Sequence, residues 1–313
     1  MFFSVIIPLY NKADVILRTL EGVARQTFHD FELIVVDDGS TDSGGNVVLE
    51  FARNVTFPVK LIRQENAGVS AARNRGANES RGNFLAMLDG DDIWLPFHLE
   101  DLFEVYMQFP AAKVISTAFA SGKRYKAGKA NVLRYSVFDY PDGGYPICSD
   151  TLAVERGYFI SIGGYDVRFR NFEDRELYYR MAEDIGDFYA NTRVSALYLH
   201  DAKEGAHVAT SHGFAQCAYM SFAVERIKDG KASERMKQCV ARSAFNYIRG
   251  DIVRGKWDSI EELNMLYPEI ARILPLVGSY DWHKNRFLIR ALCIANWLWI
   301  NLVRRVNKSL RAR

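Results

Sequence analysis

One stretch limits the fold more than any other: Phe84-Leu85-Ala86-Met87-Leu88-Asp89-Gly90-Asp91-Asp92. Its unbroken apolar run reads as a central strand buried on both faces, which requires helical layers on either side of a sheet. The carboxylates then sit where the strand leaves the sheet, the edge at which open α/β sheets bind ligands. Asp89, Asp91 and Asp92 repel one another unless a cation or hydrogen-bond donors neutralise them. Oxygen ligands with no His or Cys beside them suit Mg²⁺ or Mn²⁺, ions that bridge substrate phosphates. Taken alone, the same residues also describe an acidic surface turn with an Asx cap, so the rest of the chain has to decide.

Strand and helix signals alternate around that stretch. Phe3–Pro8, Phe31–Val36 and Lys60–Arg63 read as strands, and Lys12–Arg25 carries Ile16, Leu17, Leu20, Val23 and Ala24 on one helical face. Helices are expected over about 43–53, Val69–Glu79 and Pro96–Phe109, with a further strand at Lys113–Ala120. This order predicts βαβ units with right-handed crossovers, hence a Rossmann-like, mostly parallel sheet flanked by helices. Residues 121–147 are polar, Gly-rich and Tyr-rich, and read as a long loop of the kind that forms lids or binds acceptors. The pattern sharpens again at Cys148–Val154, a helix starts near Phe172–Arg180, and Phe188–Tyr198 is the last strand. The division expected is an α/β domain over 1–210 and a helical region over 211–313.

Several function classes drop out. No G-x-G-x-x-G follows the first strand and no Walker A loop is present, which removes the dinucleotide and P-loop fingerprints. The four cysteines lie far apart without a CxxC pair, against a disulfide framework or zinc knuckle and in keeping with a reducing, cytoplasmic setting. The apolar start lacks a basic n-region and a small-residue cleavage site, and reads as a strand rather than a signal peptide. Net charge is +2, yet eight Lys/Arg and no acid lie between Lys284 and Arg313, so the body is mildly acidic. That balance argues against nucleic acid as a partner.

Five stretches in order resemble the inverting family 2 glycosyltransferases of GT-A fold. They are Ser4–Asn11, Glu32–Asp42, Asn66–Gly76, Leu88–Asp92, and Ile162–Arg180 with its Gly-Gly-Tyr-Asp and Glu-Asp pieces. The resemblance covers roughly residues 1–200 and implies a nucleotide-sugar donor, UDP-linked, lying over the carboxyl edge of the sheet. It implies a nucleoside pocket of Pro8, Tyr10 and Asp37 or Asp38, with Asp38 favoured, and Arg73 near the base or diphosphate. Asp89 and Asp91 look like the DXD element that holds Mn²⁺ or Mg²⁺, with Asp91 the direct ligand and Asp89 reaching the ribose or the metal through water. His200, His207 and His212 follow the last strand, where some relatives place a histidine that completes the metal shell. His200 is the candidate ligand the resemblance implies, against an ordinary satisfied or exposed histidine. Asp174 is the general base implied, with Glu173 as the alternative. The acceptor implied is a glycan or lipid-linked hydroxyl of bacterial surface-polysaccharide synthesis.

The basic tail allows two readings. Arg290, Asn301, Arg304, Arg305, Lys308 and Arg311 share one helical face, and the apolar run from Phe287 to Val303 is shorter than a spanning helix needs. Such a helix lies on an anionic membrane surface, giving a peripheral protein, or packs its apolar side on the body. Two other functions compete with sugar transfer. A nucleotidyltransferase also pairs an α/β sheet with a metal-binding Asp, but it is similar to proteins with a Gly-rich N-terminal phosphate loop, and Pro8-Leu9-Tyr10-Asn11-Lys12 stands here instead. A sugar-nucleotide-binding protein without turnover is the non-enzyme reading.

Overall fold

The computed structural model describes residues 1–122, 125, 126, 128–139, 147–170, 172–199, 218–274, 289–291 and 293. Two compact units are present, Met1–Asp139 with Gly144–Thr210, and Tyr140–Gly143 with Ser211–Arg313.

In the first unit, β1 (Phe3–Leu9) and β2 (Phe31–Asp37) are buried at every residue, as mostly apolar strands in a sheet covered on both faces are. With β3 (Val59–Arg63) and β4 (Phe84–Met87) they form a parallel half-sheet in the order β3-β2-β1-β4. Ile6 stands opposite Ile34 on one side and Met87 on the other. Alternation sorts the side chains between two layers. Val5, Ile7 and Leu9 join Ile16, Leu20 and Val23 of α1 (Ile16–Ala24) in the larger core, together with Val48 of α2 (Gly44–Ala52). Ile34, Val36 and Ile62 face the other way, against Ala72 of α3 (Val69–Glu79). Strand order reverses at β1, between β2 and β4, so the carboxyl ends of these strands open the crevice where such sheets bind ligands.

Past β4 the sheet is mixed. β8 (Leu152–Glu155) runs antiparallel to both β4 and β6 (Val114–Ser121), and β6 lies parallel to β9 (Phe188–Tyr198). The far edge is β5 (Ile93–Trp94), antiparallel on β9. The parallel character expected from the βαβ alternation is therefore unbroken in the first half and recurs in the second at the β6–β9 pair. Helices α4 (His98–Gln108), α5 (Arg156–Ser161) and α6 (Glu173–Ile185) complete the unit.

Two local differences from the sequence reading have simple causes. The expected loop over 121–147 contains a strand, β7 (Val132–Tyr135), antiparallel on β9. Four residues without clean alternation give no period to read; a partner strand supplies the ladder. Helix α1 begins at Ile16 rather than Lys12 because Asn11 takes a left-handed φ of 50° and its Oδ1 accepts from the Thr41 amide at 2.8 Å.

The amino edge of the sheet is locked by a buried polar knot. Ser4 Oγ donates to Glu32 Oε1 at 2.8 Å, the Arg81 amide donates to the same oxygen at 2.7 Å, and the Gly82 amide donates to Ser4 Oγ at 2.8 Å. A Cβ on Gly82 would lie 2.6 Å from the backbone of Phe3 and Ser4. Gly82→Ala is therefore expected to cost about 1–3 kcal/mol, because backbone rather than a flexible side chain has to yield. A urea midpoint equal to that of the wild-type protein would contradict this.

The second unit is helical where described: α7 (Ala218–Lys228), α8 (Glu234–Arg254), α9 (Asp258–Leu266) and α10 (Pro268–Arg272). Ser233 caps α8 by accepting from the Met236 amide at 3.1 Å, and Gly255 ends it at φ 76°. Of the basic tail, residues 289–291 and 293 are described. Ile289 and Cys293 are buried, and Arg290 Nε donates to the Val253 carbonyl in the last turn of α8, where a cation is favoured. Among the described residues no helix is long and apolar enough to cross a membrane.

Candidate active site

The carboxyl ends of β1 and β2 carry the residues expected to form the nucleoside pocket. Pro8 is buried in the strand, and Tyr10, one residue past its end, is 46% exposed with its ring presented to solvent. Asp38 is buried and already engaged: Oδ1 accepts from Gln64 Nε2 at 2.7 Å and the Ala67 amide at 2.9 Å, while Oδ2 accepts from the Gly68 amide at 2.8 Å. Asp38 thus shapes the loop between β3 and α3, and a free lone pair on Oδ2 is what it has left for a base N–H. Asp37 turns away, with Oδ1 accepting from the Ser40 amide at 2.9 Å and Oδ2 3.8 Å from Arg63 Nε. Beside it opens a cavity of about 310 Å³ lined by Asp37, Ser40, Asp42, Asn46, Arg63 and Gln64, among others.

The acidic turn follows β4, and its carboxylates part company. Asp89 receives Arg73 Nη2 at 2.6 Å, and Asp91 receives Lys12 Nζ at 2.6 Å. Arg18 Nη2 also donates to the Asp91 carbonyl at 2.6 Å. Asp92 points inward: it is 1% exposed, accepts from the Leu199 amide at 2.7 Å, and shares a hydrogen bond with Asp150. Carboxylate oxygens of Asp89, Asp92 and Asp150 lie within 4.8 Å of one another. Burial and the Arg73 and Lys12 charges pull Asp89 in opposite directions, and the cations prevail, holding it below the usual carboxylate range. Burial, then the Asp150 charge, pushes Asp92 up to about 10, and burial with the Asp89 charge pushes Asp150 up to about 6.

That inward pair has a consequence for stability. Asp92 and Asp150 keep protons that the unfolded chain releases near an ordinary Asp value of about 3.9. Their stabilising contribution is therefore full below that pH and is lost as pH rises, towards about 6 for Asp150 and about 10 for Asp92. With chelator present, Asp92→Asn is expected to melt progressively closer to, or above, the wild-type protein between pH 5 and pH 8. A difference in melting temperature that stays constant across that range would overturn this.

The third part of the site is held by α3. Arg73 is 3% exposed, its guanidinium stacks over the Tyr165 ring at 5.0 Å, and Nη1 donates to Glu173 Oε1 at 3.2 Å. It therefore bridges the acidic turn to the start of α6. Burial lowers its pKa, but Asp89, Tyr165 and Glu173 outweigh that and keep it charged above its ordinary value. Next to it, Asn74 pairs with Tyr165 as a strand backbone would, donating Nδ2 to the carbonyl and accepting the amide at Oδ1, both at 2.8 Å. Gly164 has φ 64°, and a Cβ there would lie 2.4 Å from Asn74 Oδ1, which explains the glycine in the Gly-Gly-Tyr-Asp turn. Arg180 of α6 clamps the same turn, donating to the carbonyls of Ile162 and Gly164 at 2.6 Å each.

Helix α6 opens from Phe172 at φ 59°, a left-handed conformation that strains a bulky aromatic residue by about 1–3 kcal/mol. Glu173 and Asp174 follow at once. Burial, then the neighbouring Asp174 charge, raises Glu173; burial raises Asp174, opposed by the Arg175 amide, which donates to Asp174 Oδ1 at 2.7 Å. The geometry thus gathers Arg73, Asp89, Glu173 and Asp174, sets Asp91 with Lys12, and leaves Pro8, Tyr10 and Asp38 on the β1–β2 side. His200 lies outside the described residues. Lys12, Arg18, Asn74 and Asp150 escaped the sequence reading. An acid inside Cys148–Val154, otherwise a strand-like run, was the available signal for Asp150.

Comparison with known proteins bears on the family and the fold. The family model described as glycosyl transferase family 2 matches residues 4–163. A PGL/p-HBAD biosynthesis glycosyltransferase of Mycobacterium bovis is 30% identical over 202 residues, 63% of this chain and 73% of that protein. Glycosyltransferase GlyA of Streptococcus pneumoniae is 37% identical over 108 residues, 34% of this chain. The match spans 15% of GlyA, and 62% of an uncharacterized Haemophilus influenzae glycosyltransferase that is 29% identical. Among solved structures, residues 1–349 of S. aureus TarS with UDP-GlcNAc superpose with a TM-score of 0.70 at 18% identity, over 98% of this chain and 92% of that one. The GT-A sheet, the order of the matched stretches and the extent of the family match together show that this chain belongs to glycosyl transferase family 2.

Proposed function

We propose that this chain transfers a sugar from a UDP-linked donor to an acceptor hydroxyl, with inversion at the anomeric carbon. The observation that carries the reading is the Arg73 bridge, which joins a carboxylate of the donor-side turn to the Glu173-Asp174 pair. A base has to stand close to the donor for a single displacement, and one buried guanidinium ties the two groups together. Asp174 takes the proton of the attacking hydroxyl, and its raised pKa makes it a better base than an ordinary carboxylate. Glu173, bound to Arg73, orients its neighbour and stands as the alternative base.

The turn fits a divalent cation, since Asp89 clusters with Asp92 and Asp150 and Asp91 stands beside it, all offering carboxylate oxygens. Asp89 and Asp91 would hold Mn²⁺ or Mg²⁺, with His200 as the further ligand suggested by the resemblance. Such an ion supplies positive charge to the departing nucleoside diphosphate. Lys12 and Arg73 pair with the same carboxylates and would share them with the ion. Tyr10, Pro8 and Asp38 receive the nucleoside. The UDP-GlcNAc bound to TarS supports a UDP-linked donor.

The test is release of nucleoside diphosphate from a panel of sugar nucleotides, with and without Mn²⁺, for the wild-type protein and Asp91→Ala. Donor binding without release, across all donors and acceptors, would favour a sugar-nucleotide-binding protein instead. A lipid-linked glycan acceptor and contact of the basic tail with an anionic membrane complete the proposal. Loss of vesicle co-sedimentation on reversing Arg304, Arg305, Lys308 and Arg311 is the result that supports the membrane contact; unchanged sedimentation removes it.

A further inference from the structure

We propose that Asp150, which lies outside the matched acidic motif, is a positioning residue for the donor-binding turn: one of its carboxyl oxygens, acting through the Asp89 amide, fixes where the Asp89 and Asp91 carboxylates point. The inference rests on the sugar-transfer reading of the turn.

The regular ladder of β4 ends just before the turn, with the Leu88 amide donating to the Ile6 carbonyl at 3.0 Å. Among the described residues no neighbouring strand continues the ladder to Asp89. Its amide donates instead to Asp150 Oδ1 at 2.7 Å, at a point where every backbone donor withdrawn from water needs an acceptor. The rest of the turn has other supports. The Asp92 amide donates to the Asp89 carbonyl at 3.2 Å, and Thr19 Oγ1 donates to the Asp92 carbonyl at 2.8 Å. Asp150 thus holds the first residue of the turn, the one whose carboxylate receives Arg73.

Asp150 is itself held rigidly. It is 1% exposed and sits in a 3₁₀ turn, Ser149–Thr151, where Cys148 Sγ donates to its Oδ2 at 3.7 Å. Its carbonyl accepts from Trp94 Nε1 at 2.6 Å; the Trp94 ring stacks on His98 at 4.1 Å, and His98 Nδ1 lies 2.9 Å from Ser195 Oγ of β9. The anchor therefore reaches from β5 through α4 to β9, and the acidic turn inherits that rigidity. What Asp150 supplies to Asp89 is an acceptor oxygen, which an asparagine also has, rather than a charge.

The test compares D150N and D150A with the wild-type full chain, using Mn²⁺ alone by paramagnetic resonance and UDP with Mn²⁺ by calorimetry, alongside circular dichroism. Expected is binding within about threefold of the wild-type protein for D150N and a loss of about tenfold or more for D150A, the size of one buried backbone donor left without its acceptor. Wild-type affinity in folded D150A overturns the proposal. So does D150N binding as weakly as D150A, because the charge would then be what matters. Should D150A not fold, D150S takes its place with the same two outcomes, since its hydroxyl is too short to reach the Asp89 amide. A wild-type chain that binds neither Mn²⁺ nor UDP would instead remove the sugar-transfer reading on which the inference stands.

Discussion

Asp174→Asn is expected to lose about 10²–10⁴-fold in kcat while binding the donor as tightly as the wild-type protein. The substitution is nearly isosteric, and the amide oxygen can still accept from the Arg175 amide, so the first turn of α6 keeps its shape. What disappears is the lone pair able to take a proton. Burial of Asp174 raises its pKa, and protonation of that carboxyl should govern the acid limb of the kcat profile. Asp174→Asn should abolish that limb along with turnover. Transfer at wild-type rate would transfer the role to Glu173, and Glu173→Gln would then carry the same loss.

The second large effect is on stability. Arg73→Leu leaves Asp89 and Glu173, two largely buried carboxylates, without the guanidinium between them, and should lower folding free energy by about 3–5 kcal/mol. The loss should shrink as pH falls, since protonating either carboxyl removes the repulsion. Arg73→Lys should recover part of the stability, because an ammonium restores the charge but cannot reach both acids with the guanidinium's fork. Urea unfolding of the three proteins at pH 7 and pH 5 checks this; an Arg73→Leu midpoint matching wild type at pH 7 would refute it.

The difference between what sequence made legible and what it hid follows from the range of the interactions. The parallel half of the sheet was readable because Phe3–Leu9, Phe31–Asp37 and Phe84–Met87 are mostly apolar and lead into polar or acidic turns. Local composition is enough there. In the mixed half β6 and β9 were readable too, at Lys113–Ala120 and Phe188–Tyr198, but β5 and β7 were not, since β5 has two residues, β7 four, and both exist through pairing with β9. The site divides in the same way. The acids of the turn and of α6 announce themselves as clusters in sequence. Asp150 does not, because it meets Asp89 across 61 positions, and Asn74 meets Tyr165 across 91. Sequence also could not say how the three acids of the turn share their partners: Lys12 and Arg73 each take one carboxylate, and Asp92 turns inward to Asp150.

The polar knot of Ser4, Glu32 and Gly82 gives the protein a place to be altered without touching its chemistry. It sits at the opposite end of β1 and β2 from Pro8, Asp38 and the acidic turn, with Ser4 and Glu32 near the start of their buried strands and Pro8 and Asp38 at the far ends. Robustness and the proposed donor pocket are thereby written at opposite termini of the same strands. A lineage, or an engineer, can harden one end against heat while reshaping the other around a new sugar.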